Sequence, residues 1–197
     1  MVTVPSTMLP LGSPVPAFAL PDVVSGRTVR REDFAGRPLL VMFICNHCPY
    51  VVHIRKELLA TIRAYTGTAL QVVAINANST QTHPQDGPTS MKQLATDEAW
   101  PFPFLFDESQ ETAKAFRAAC TPEFYLFDET DALVYRGQFD GARPKNTVPV
   151  TGTDLRNAID RLLAHEDPPA DQSPGIGCNI KWHPGTEPEY FSQPYRP

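Results

Sequence analysis

Hydrophobic residues form three contiguous patterns in the first half of the chain. Residues 39–44 (LLVMFI) are an uninterrupted apolar run, which is typical of a strand covered on both faces. Apolar side chains then recur every three or four residues, as in an amphipathic helix, at Val51, Ile54, Leu58, Ile62 and Tyr65. Residues 70–75 (LQVVAI) form a second buried run. A strand, helix and strand at this spacing predict a right-handed crossover between parallel strands.

Shorter patterns predict the remaining elements of an α/β fold. We expect strands at 18–20, 28–29 and 102–106, helices near 91–99 and at 111–119, and a hairpin from 124–127 and 133–135. Residues 151–154 fit a capping box and open a last helix. The polar loop 76–90 leaves the second buried strand at the edge where the first one ends, so it is a candidate rim for a site. The sheet is therefore predicted to be parallel at first and closed by an antiparallel hairpin.

Composition adds a boundary and excludes some functions. The chain has 197 residues and 21 prolines, and the prolines cluster at both ends. We predict one domain over residues 1–166, with an N-terminal hairpin extension, and a Pro-rich tail over 167–197 that packs on it. The net charge of −5 argues against a nucleic-acid partner. No apolar run is long enough to span a membrane, and prolines interrupt the N-terminus where a signal peptide would need a continuous apolar core, so a cytoplasmic location is expected.

Two of the four cysteines form a Cys-x-x-Cys motif, Cys45 and Cys48, between the first buried strand and the following helix. In a cytoplasmic α/β protein this context favours a redox site over a disulfide scaffold. The helix dipole is expected to stabilise a thiolate at Cys45, and a cationic His47 would favour the reduced form further. Pro49 fits the first helical turn, where backbone N–H groups have no helical partner. Inert packing of the two thiols is the alternative.

Metal binding is the candidate from another class of function. Cys45, Cys48, His47 and His53 could supply thiolate and imidazole ligands, and these ligands suit copper. Structural zinc normally recruits a second closely spaced pair, which this sequence lacks. We therefore predict no metal and no cofactor, and we expect His53 and His83 to be solvated surface residues.

Several segments together resemble a known family. They are residues 18–22 (FALPD), 33–38 (DFAGRP), 43–50 (FICNHCPY), 120–122 (CTP), 135–138 (YRGQ) and 177–182 (GCNIKW). The order of elements, the CNHCP motif and the Thr-Pro before the hairpin resemble the thioredoxin fold. The N-terminal segments resemble its peroxiredoxin-like AhpC/TSA, or redoxin, branch. The resemblance covers nearly the whole chain and implies a central mixed sheet flanked by helices.

The resemblance also implies roles for individual residues. Cys45 would be the exposed nucleophile that attacks a partner disulfide, and Cys48 would resolve the mixed disulfide. Pro122 would be a cis-proline opposite the motif, and Thr121 would offer backbone hydrogen bonds to an extended substrate segment. The implied activity is thiol–disulfide exchange with a protein or small-molecule disulfide or dithiol, with a thioredoxin-type protein as one candidate reductant.

The sequence departs from the relatives in ways that keep a second enzyme class open. Ile44 stands where thioredoxins carry Trp, and no Asp or Glu lies between Pro38 and Cys48. A thiol peroxidase using Cys45 or Cys48 is the alternative activity, although no hydroxyl side chain lies three residues before either cysteine. Arg117 and Arg143 are candidates to stabilise a bound peroxide, and each is as well explained as a surface charge.

Two further cysteines complete the candidates. Cys120 adjoins Thr121 and Pro122, so it is either a third redox thiol or a small buried hydrophobe. Cys178 lies in the tail between Gly177 and Asn179, and we expect it to be structural.

Overall fold

The protein is described by a computed structural model that covers residues 2–192. The strands are β1 (Thr3–Pro5), β2 (Ala19–Pro21), β3 (Thr28–Arg30), β4 (Leu39–Phe43), β5 (Gln71–Asn76), β6 (Phe104–Phe106), β7 (Cys120–Thr121), β8 (Glu123–Phe127), β9 (Leu133–Gly137) and β10 (Ile176–Asn179). The α-helices are α1 (Pro49–Ala64), α2 (Pro88–Asp97), α3 (Glu111–Ala115) and α4 (Thr153–Leu163). Short 3₁₀ turns lie at Arg31–Phe34, Pro84–Asp86 and Glu189–Ser192.

The centre of the fold is a five-stranded mixed sheet in the order β6-β5-β4-β8-β9. Strands β4, β5 and β6 run parallel, while β8 is antiparallel to both β4 and β9. Every residue of β4 is buried, as expected for the middle strand of a sheet covered on both faces. The predicted parallel crossover and the closing antiparallel hairpin are both confirmed, as is the separate N-terminal hairpin of β2 and β3.

Helix α1 covers one face of the sheet. Its apolar side chains Val51, Ile54, Leu58 and Ile62 are buried in the same cluster as alternate residues of β4. Fully burying such a side chain stabilises a fold by roughly 1.5–3 kcal/mol, so this stripe fixes where the first turn of the helix lies. On the other face, the rings of Phe43, Phe116 and Tyr125 pack edge to face with centroids 5.4–5.9 Å apart.

The tail adds a second sheet beside the first. Strand β10 lies between β1 and β7 and is antiparallel to both, with Cys178 opposite Thr3 on one side and Thr121 on the other. Beyond it, Ile180 and Trp182 are buried in the main hydrophobic core. Thus part of the Pro-rich tail predicted from the sequence forms the middle strand of a sheet.

Two predicted helix boundaries are wrong for local reasons. Helix α2 begins three residues before the predicted range, because Pro88 is suited to a first helical turn. Helix α3 ends four residues early, because Arg117 adopts a left-handed backbone (φ 51°) that ends the helical turns.

The predicted capping box before α4 is also wrong. The cap is Gly152, which has a left-handed backbone and makes no side-chain capping bond. The carboxylate of Asp140 replaces the box and accepts hydrogen bonds from the Thr151 and Gly152 amides, at 2.7 and 2.6 Å. The backbone amides before α4 are therefore paired with a carboxylate from an earlier part of the chain, and not with a side chain of the helix's own first turn.

Within residues 2–192, no helix has the length and apolar character needed to cross a bilayer.

We expect Gly177→Ala to destabilise the protein by about 1–3 kcal/mol, the usual cost of overpacking. A Cβ atom at this position would lie 2.0 Å from the carbonyl oxygen of Thr121, so β10 would have to move away from β7. Urea unfolding measures the change, and Gly141→Ala is the control. There the nearest atom is a Val148 methyl at 3.8 Å, so that variant should stay within about 0.5 kcal/mol of the wild type. Equal stabilities for the two variants would contradict the close approach.

Candidate active site

The Cys-x-x-Cys motif occupies the junction between β4 and α1. Strand β4 ends at Phe43, and the amide of Ile44 donates to the carbonyl oxygen of Ile75 at 3.1 Å, which continues the sheet for one more residue. Cys48 is the N-cap of α1, and Pro49 is its first residue, as predicted. Both cysteines are buried, Cys45 being 1% exposed and Cys48 0%. The burial of Cys45 differs from the expectation of an exposed nucleophile.

Thr121 lies against both thiols. Its bond to Pro122 is cis, as the resemblance implied. The Thr121 hydroxyl is 3.4 Å from the sulfur of Cys45, and its carbonyl oxygen is 3.2 Å from the sulfur of Cys48. The motif has no hydroxyl side chain three residues before either cysteine, and the Thr121 hydroxyl of β7 lies beside Cys45 instead. No local sequence pattern could show this contact.

The electrostatics favour the thiolate at Cys48 and not at Cys45. The pKa of Cys48 lies well below its ordinary value because the thiol of Cys45 donates a hydrogen bond to it, and Cys178, Thr121 and the Val51 amide add smaller contributions. Burial opposes this shift, but the donors outweigh it and the pKa is lowered. The carbonyl oxygen of Thr121, 3.2 Å from the sulfur, is a partner for the protonated thiol of Cys48 and not for its thiolate.

Cys45 shows the opposite shift. Its pKa is raised by its hydrogen bond to Cys48, by burial and by the negative charge of Asp86. These shifts run opposite to the sequence expectation of a thiolate at Cys45, and helix α1 begins after the second cysteine and not after the first. The structure places the helix N-terminus, where a negative charge is stabilised, at Cys48.

Asp86 holds the two residues between the cysteines in place. Its buried carboxylate accepts hydrogen bonds from the Asn46 amide at 3.0 Å, the Asn78 side chain at 2.8 Å and His47 Nδ1 at 2.5 Å. Burial alone would raise its pKa, but the bonds from His47 and Asn78 outweigh burial, and the pKa is lowered. The carboxylate that β4 lacks thus comes from the loop after β5.

The second histidine of this region is part of the site. The rings of His47 and His83 stack with centroids 5.1 Å apart, and burial lowers the pKa of His83. His83 and His53 are both half-buried, so the prediction of solvated surface residues holds in full for neither, and the Nε2 atom of His53 is buried.

Of the four candidate metal ligands predicted from the sequence, only Cys45 and His47 lie close enough to bind one ion together, with Asp86 as a third ligand. Cys45, His47 and Asp86 offer ligand atoms within 4.8 Å of one another, whereas Cys48 and His53 are not in this group. The carboxylate of Asp86 already accepts three hydrogen bonds, so a metal would have to displace them. The donor set therefore suits hydrogen bonding better than metal binding.

Cys120 lies beside the motif but faces a different group. Its sulfur is 3.9 Å from the carboxylate of Glu123, which is fully buried and accepts the Ala119 and Cys120 amides at 2.8 and 3.2 Å. Burial raises the pKa of Cys120 well above its ordinary value, and the charge of Glu123 adds to the shift. The structure thus favours the reading of Cys120 as a packed thiol.

Cys178 is closer to the chemistry than the sequence indicated. It is 4% exposed, belongs to the same buried cluster as the motif cysteines, and shares a thiol hydrogen bond with Cys48. Its pKa is raised to about 12 by burial and by Cys48, so it is the donor. The expectation of a purely structural role overlooked that β10 pairs with β7.

The two predicted candidates for a peroxide-binding arginine are committed elsewhere. Arg143 donates to the carbonyl oxygens of Asp140 and Ala142, and Arg117 stacks over the ring of Tyr190. Arg143 is thus held by carbonyl groups of its own loop, and Arg117 is held by a ring from the C-terminal segment.

This geometry agrees with what comparison with known proteins shows. Residues 11–136 match the AhpC/TSA family. The chain belongs to the AhpC/TSA family. The predicted resemblance is thereby confirmed at the level of the family, and a search of curated proteins finds no match.

Solved structures extend the likeness to more than nine tenths of the chain. An uncharacterized conserved protein from Geobacillus kaustophilus is 48% identical, with a TM-score of 0.92, and the match covers 94% of this chain and 99% of that one. A hypothetical protein from Sinorhizobium meliloti is 44% identical, with a TM-score of 0.89, over 92% and 100% of the two chains.

The thioredoxin domain of a thiol-disulfide oxidoreductase from Bacteroides vulgatus is 18% identical, with a TM-score of 0.62, over 79% of this chain and 99% of that one. At that identity the likeness concerns the fold, and it confirms the predicted thioredoxin-like architecture.

We expect one thiolate in the reduced protein to persist below pH 7, and Cys48 to carry it. Thiolate absorbance at 240 nm, followed during an acid titration, measures its pKa. Cys45→Ala removes the main hydrogen-bond donor and should raise that pKa, whereas Cys45→Ser keeps a donor and should raise it less. Disappearance of the low-pH thiolate transition in Cys45→Ala would agree with the assignment, because Cys48 is still present there but has lost its main donor. Wild-type protein that shows no thiolate transition below pH 7 would refute the assignment.

We expect Asp86→Asn to lower the free energy of unfolding by about 1.5–3 kcal/mol at pH 7, the range for hydrogen bonds to a charged group. Because the folded pKa of Asp86 is lowered, its contribution is present above the ordinary carboxyl pKa of 3.8 and is lost as the pH falls through the folded value. The difference from wild type should therefore shrink in acid. Urea unfolding at several pH values measures it.

Asp97→Asn is the matched control, since that exposed carboxylate bonds only the exposed side chain of Gln93 among the contacts described for it. An equal loss of stability in both variants would contradict the role of Asp86.

Proposed function

We propose that the protein is a thiol–disulfide oxidoreductase whose redox pair is Cys45 and Cys48. The observation that carries this proposal is that both thiols lie at the start of α1 against Thr121, with Cys48 at the N-cap of the helix, where its pKa is lowered by the neighbouring thiol of Cys45. A thiolate beside a protonated thiol is the arrangement that disulfide exchange requires. Family membership and the fold of the Bacteroides vulgatus domain support it.

The reaction proceeds in two exchanges. The Cys48 thiolate attacks one sulfur of a substrate disulfide, forming a mixed disulfide and releasing the other substrate sulfur as a thiolate. Cys45 then attacks the sulfur of Cys48, forming the Cys45–Cys48 disulfide and releasing the second substrate sulfur. The proton lost by Cys45 goes to a released thiolate, so the substrate gains two electrons and two protons overall, the second from solvent.

Burial of both sulfurs means that substrate reaches them only after a local opening. The covering segments are the loop that carries Asp86 and the tail strand β10, and short segments of this kind open at a lower free-energy cost than the core. The substrate is a protein or small-molecule disulfide, with electrons returned by a dithiol such as a thioredoxin-type protein. We place this exchange in the cytoplasm, where such reductants keep thiols reduced.

The electrostatics also determine whether the Cys45–Cys48 disulfide is a stronger or a weaker oxidant. Stabilising the Cys48 thiolate stabilises the reduced dithiol, and this makes the disulfide more oxidising. The potential should therefore lie in the upper part of the range from about −270 to −120 mV that known thiol oxidoreductases span.

Peroxide reduction is the second candidate, because the chain belongs to the AhpC/TSA family. It requires a cationic or hydroxyl group that polarises the peroxide beside the reactive sulfur. Thr121 supplies a hydroxyl 3.4 Å from Cys45, but Arg117 and Arg143 are engaged elsewhere. We therefore rank disulfide exchange first, and we rank metal binding below both.

We expect the protein to accelerate reduction of insulin disulfides by dithiothreitol at least tenfold over the uncatalysed rate. Cys48→Ser should abolish the acceleration, because it removes the thiolate. Cys120→Ala, which removes a buried thiol that faces Glu123, should retain the acceleration. Turbidity of the precipitating insulin chain follows the rate, and glutathione redox buffers with mass mapping give the potential of the Cys45–Cys48 disulfide.

Two results would sink the proposal: equal rates for wild type and Cys48→Ser, or failure of a Cys45–Cys48 disulfide to form in oxidised glutathione. Oxidation by hydrogen peroxide far faster than that of a free thiol would instead promote the peroxidase. Stoichiometric metal that is lost in Cys45→Ser would promote metal binding.

A further inference from the structure

Strand β10 occupies the edge at which the family resemblance expects substrate. An extended substrate segment was predicted to bond the backbone of Thr121, next to the cis-proline. In the structure that backbone already pairs with the protein's own tail, with Cys178 opposite Thr121 and Asn179 opposite Cys120. The residue in the position of a substrate cysteine is therefore Cys178.

The sequence around Cys178 fits a close and fixed approach. Gly177 lies so near β7 that a Cβ atom would be 2.0 Å from the carbonyl oxygen of Thr121 and 2.6 Å from its carbonyl carbon. After the strand, the Ile180 amide donates to Ala119 at 3.0 Å, and the Lys181 amide donates to the Asn78 side chain at 2.9 Å. Anchors on both sides of Cys178 thus hold its sulfur near the start of α1.

Three buried cysteines consequently lie around Thr121: its hydroxyl is 3.4 Å from the sulfur of Cys45, its carbonyl oxygen is 3.2 Å from the sulfur of Cys48, and its backbone pairs with that of Cys178. Cys45 and Cys178 each share a hydrogen bond with Cys48, and all three belong to one buried cluster. Cys48 is the central member, because both of its neighbours are donors toward it. Each neighbour is therefore placed to attack a disulfide that forms on Cys48.

We infer that Cys178 is a third catalytic thiol, which competes with Cys45 to resolve a mixed disulfide on Cys48. This inference rests on the proposed disulfide exchange. The sulfur of Cys178 attacks the sulfur of Cys48, the bond from Cys48 to the substrate breaks, and the substrate thiolate takes the proton that Cys178 loses. The product is a Cys48–Cys178 disulfide.

Cys45 can then attack Cys48 and move the bond to Cys45–Cys48. That step transfers no net electrons, since one disulfide replaces another and Cys178 returns to a thiol. The two oxidised forms differ in the tail: one ties β10 covalently to the start of α1, and the other leaves it held by strand pairing alone.

The test follows the fate of a mixed disulfide with glutathione. Reduced Cys45→Ser protein is mixed with oxidised glutathione, quenched at intervals, alkylated and mapped by mass spectrometry. We expect glutathione on Cys48 to be replaced by a Cys48–Cys178 disulfide. In Cys45→Ser/Cys178→Ser the mixed disulfide should persist at least ten times longer. Cys45→Ser/Cys120→Ala is the matched control and should behave as Cys45→Ser does.

Persistence of the mixed disulfide in Cys45→Ser itself would overturn the inference, and so would a bond from Cys48 to Cys120. The first variant keeps Cys178, so this outcome can be read even if the double variant folds poorly. Failure of the proposed function has a different signature: the wild-type protein would then take up no glutathione on Cys48 and form no Cys45–Cys48 disulfide.

Discussion

The contacts of Thr121 hold the sulfur atoms of the site together. Its hydroxyl meets Cys45 at 3.4 Å, its carbonyl oxygen meets Cys48 at 3.2 Å, and its backbone pairs with that of Cys178. These three cysteines belong to a strand end, a helix cap and a tail strand, so no single element forms the site. A shift of the two-residue strand β7 would therefore break the contacts of Thr121 with all three cysteines.

Burial limits such a cluster to a small amount of charge. An isolated thiolate in an apolar interior is unfavourable, and two adjacent thiolates are worse. One negative charge is acceptable where donors surround it, and among the three thiols only Cys48 combines a helix N-terminus with two thiol neighbours. The same charge raises the pKa values of Cys45 and Cys178, so both keep their protons until the charge on Cys48 is lost to a new bond.

Local patterns were sufficient to predict the scaffold and the motif, and insufficient to predict its surroundings. The apolar run of β4 and the helical stripe of α1 are periodic over many residues, so they identify the junction and its two cysteines. Asp86, His83 and Cys178 lie 35 to 130 residues after Cys48 and reach the site through chain folding, for which one sequence has no periodic signal. A weaker signal was present in Gly177, since a glycine inside a strand often marks close approach of another backbone.

The same burial that protects the thiols restricts when they can react. The sulfur of Cys48 is 0% exposed, so its low pKa alone would leave it a stable and unreactive anion. Reactivity then depends on how often its cover opens, and β10 is a four-residue strand held on one side by a three-residue strand and on the other by a two-residue strand. Cys178 is on the strand that must move, so opening of the site to substrate also withdraws one of the two thiols that can resolve the mixed disulfide on Cys48. Cys45 is therefore the resolving thiol while the tail is displaced. Cys178 can act only once the tail has returned.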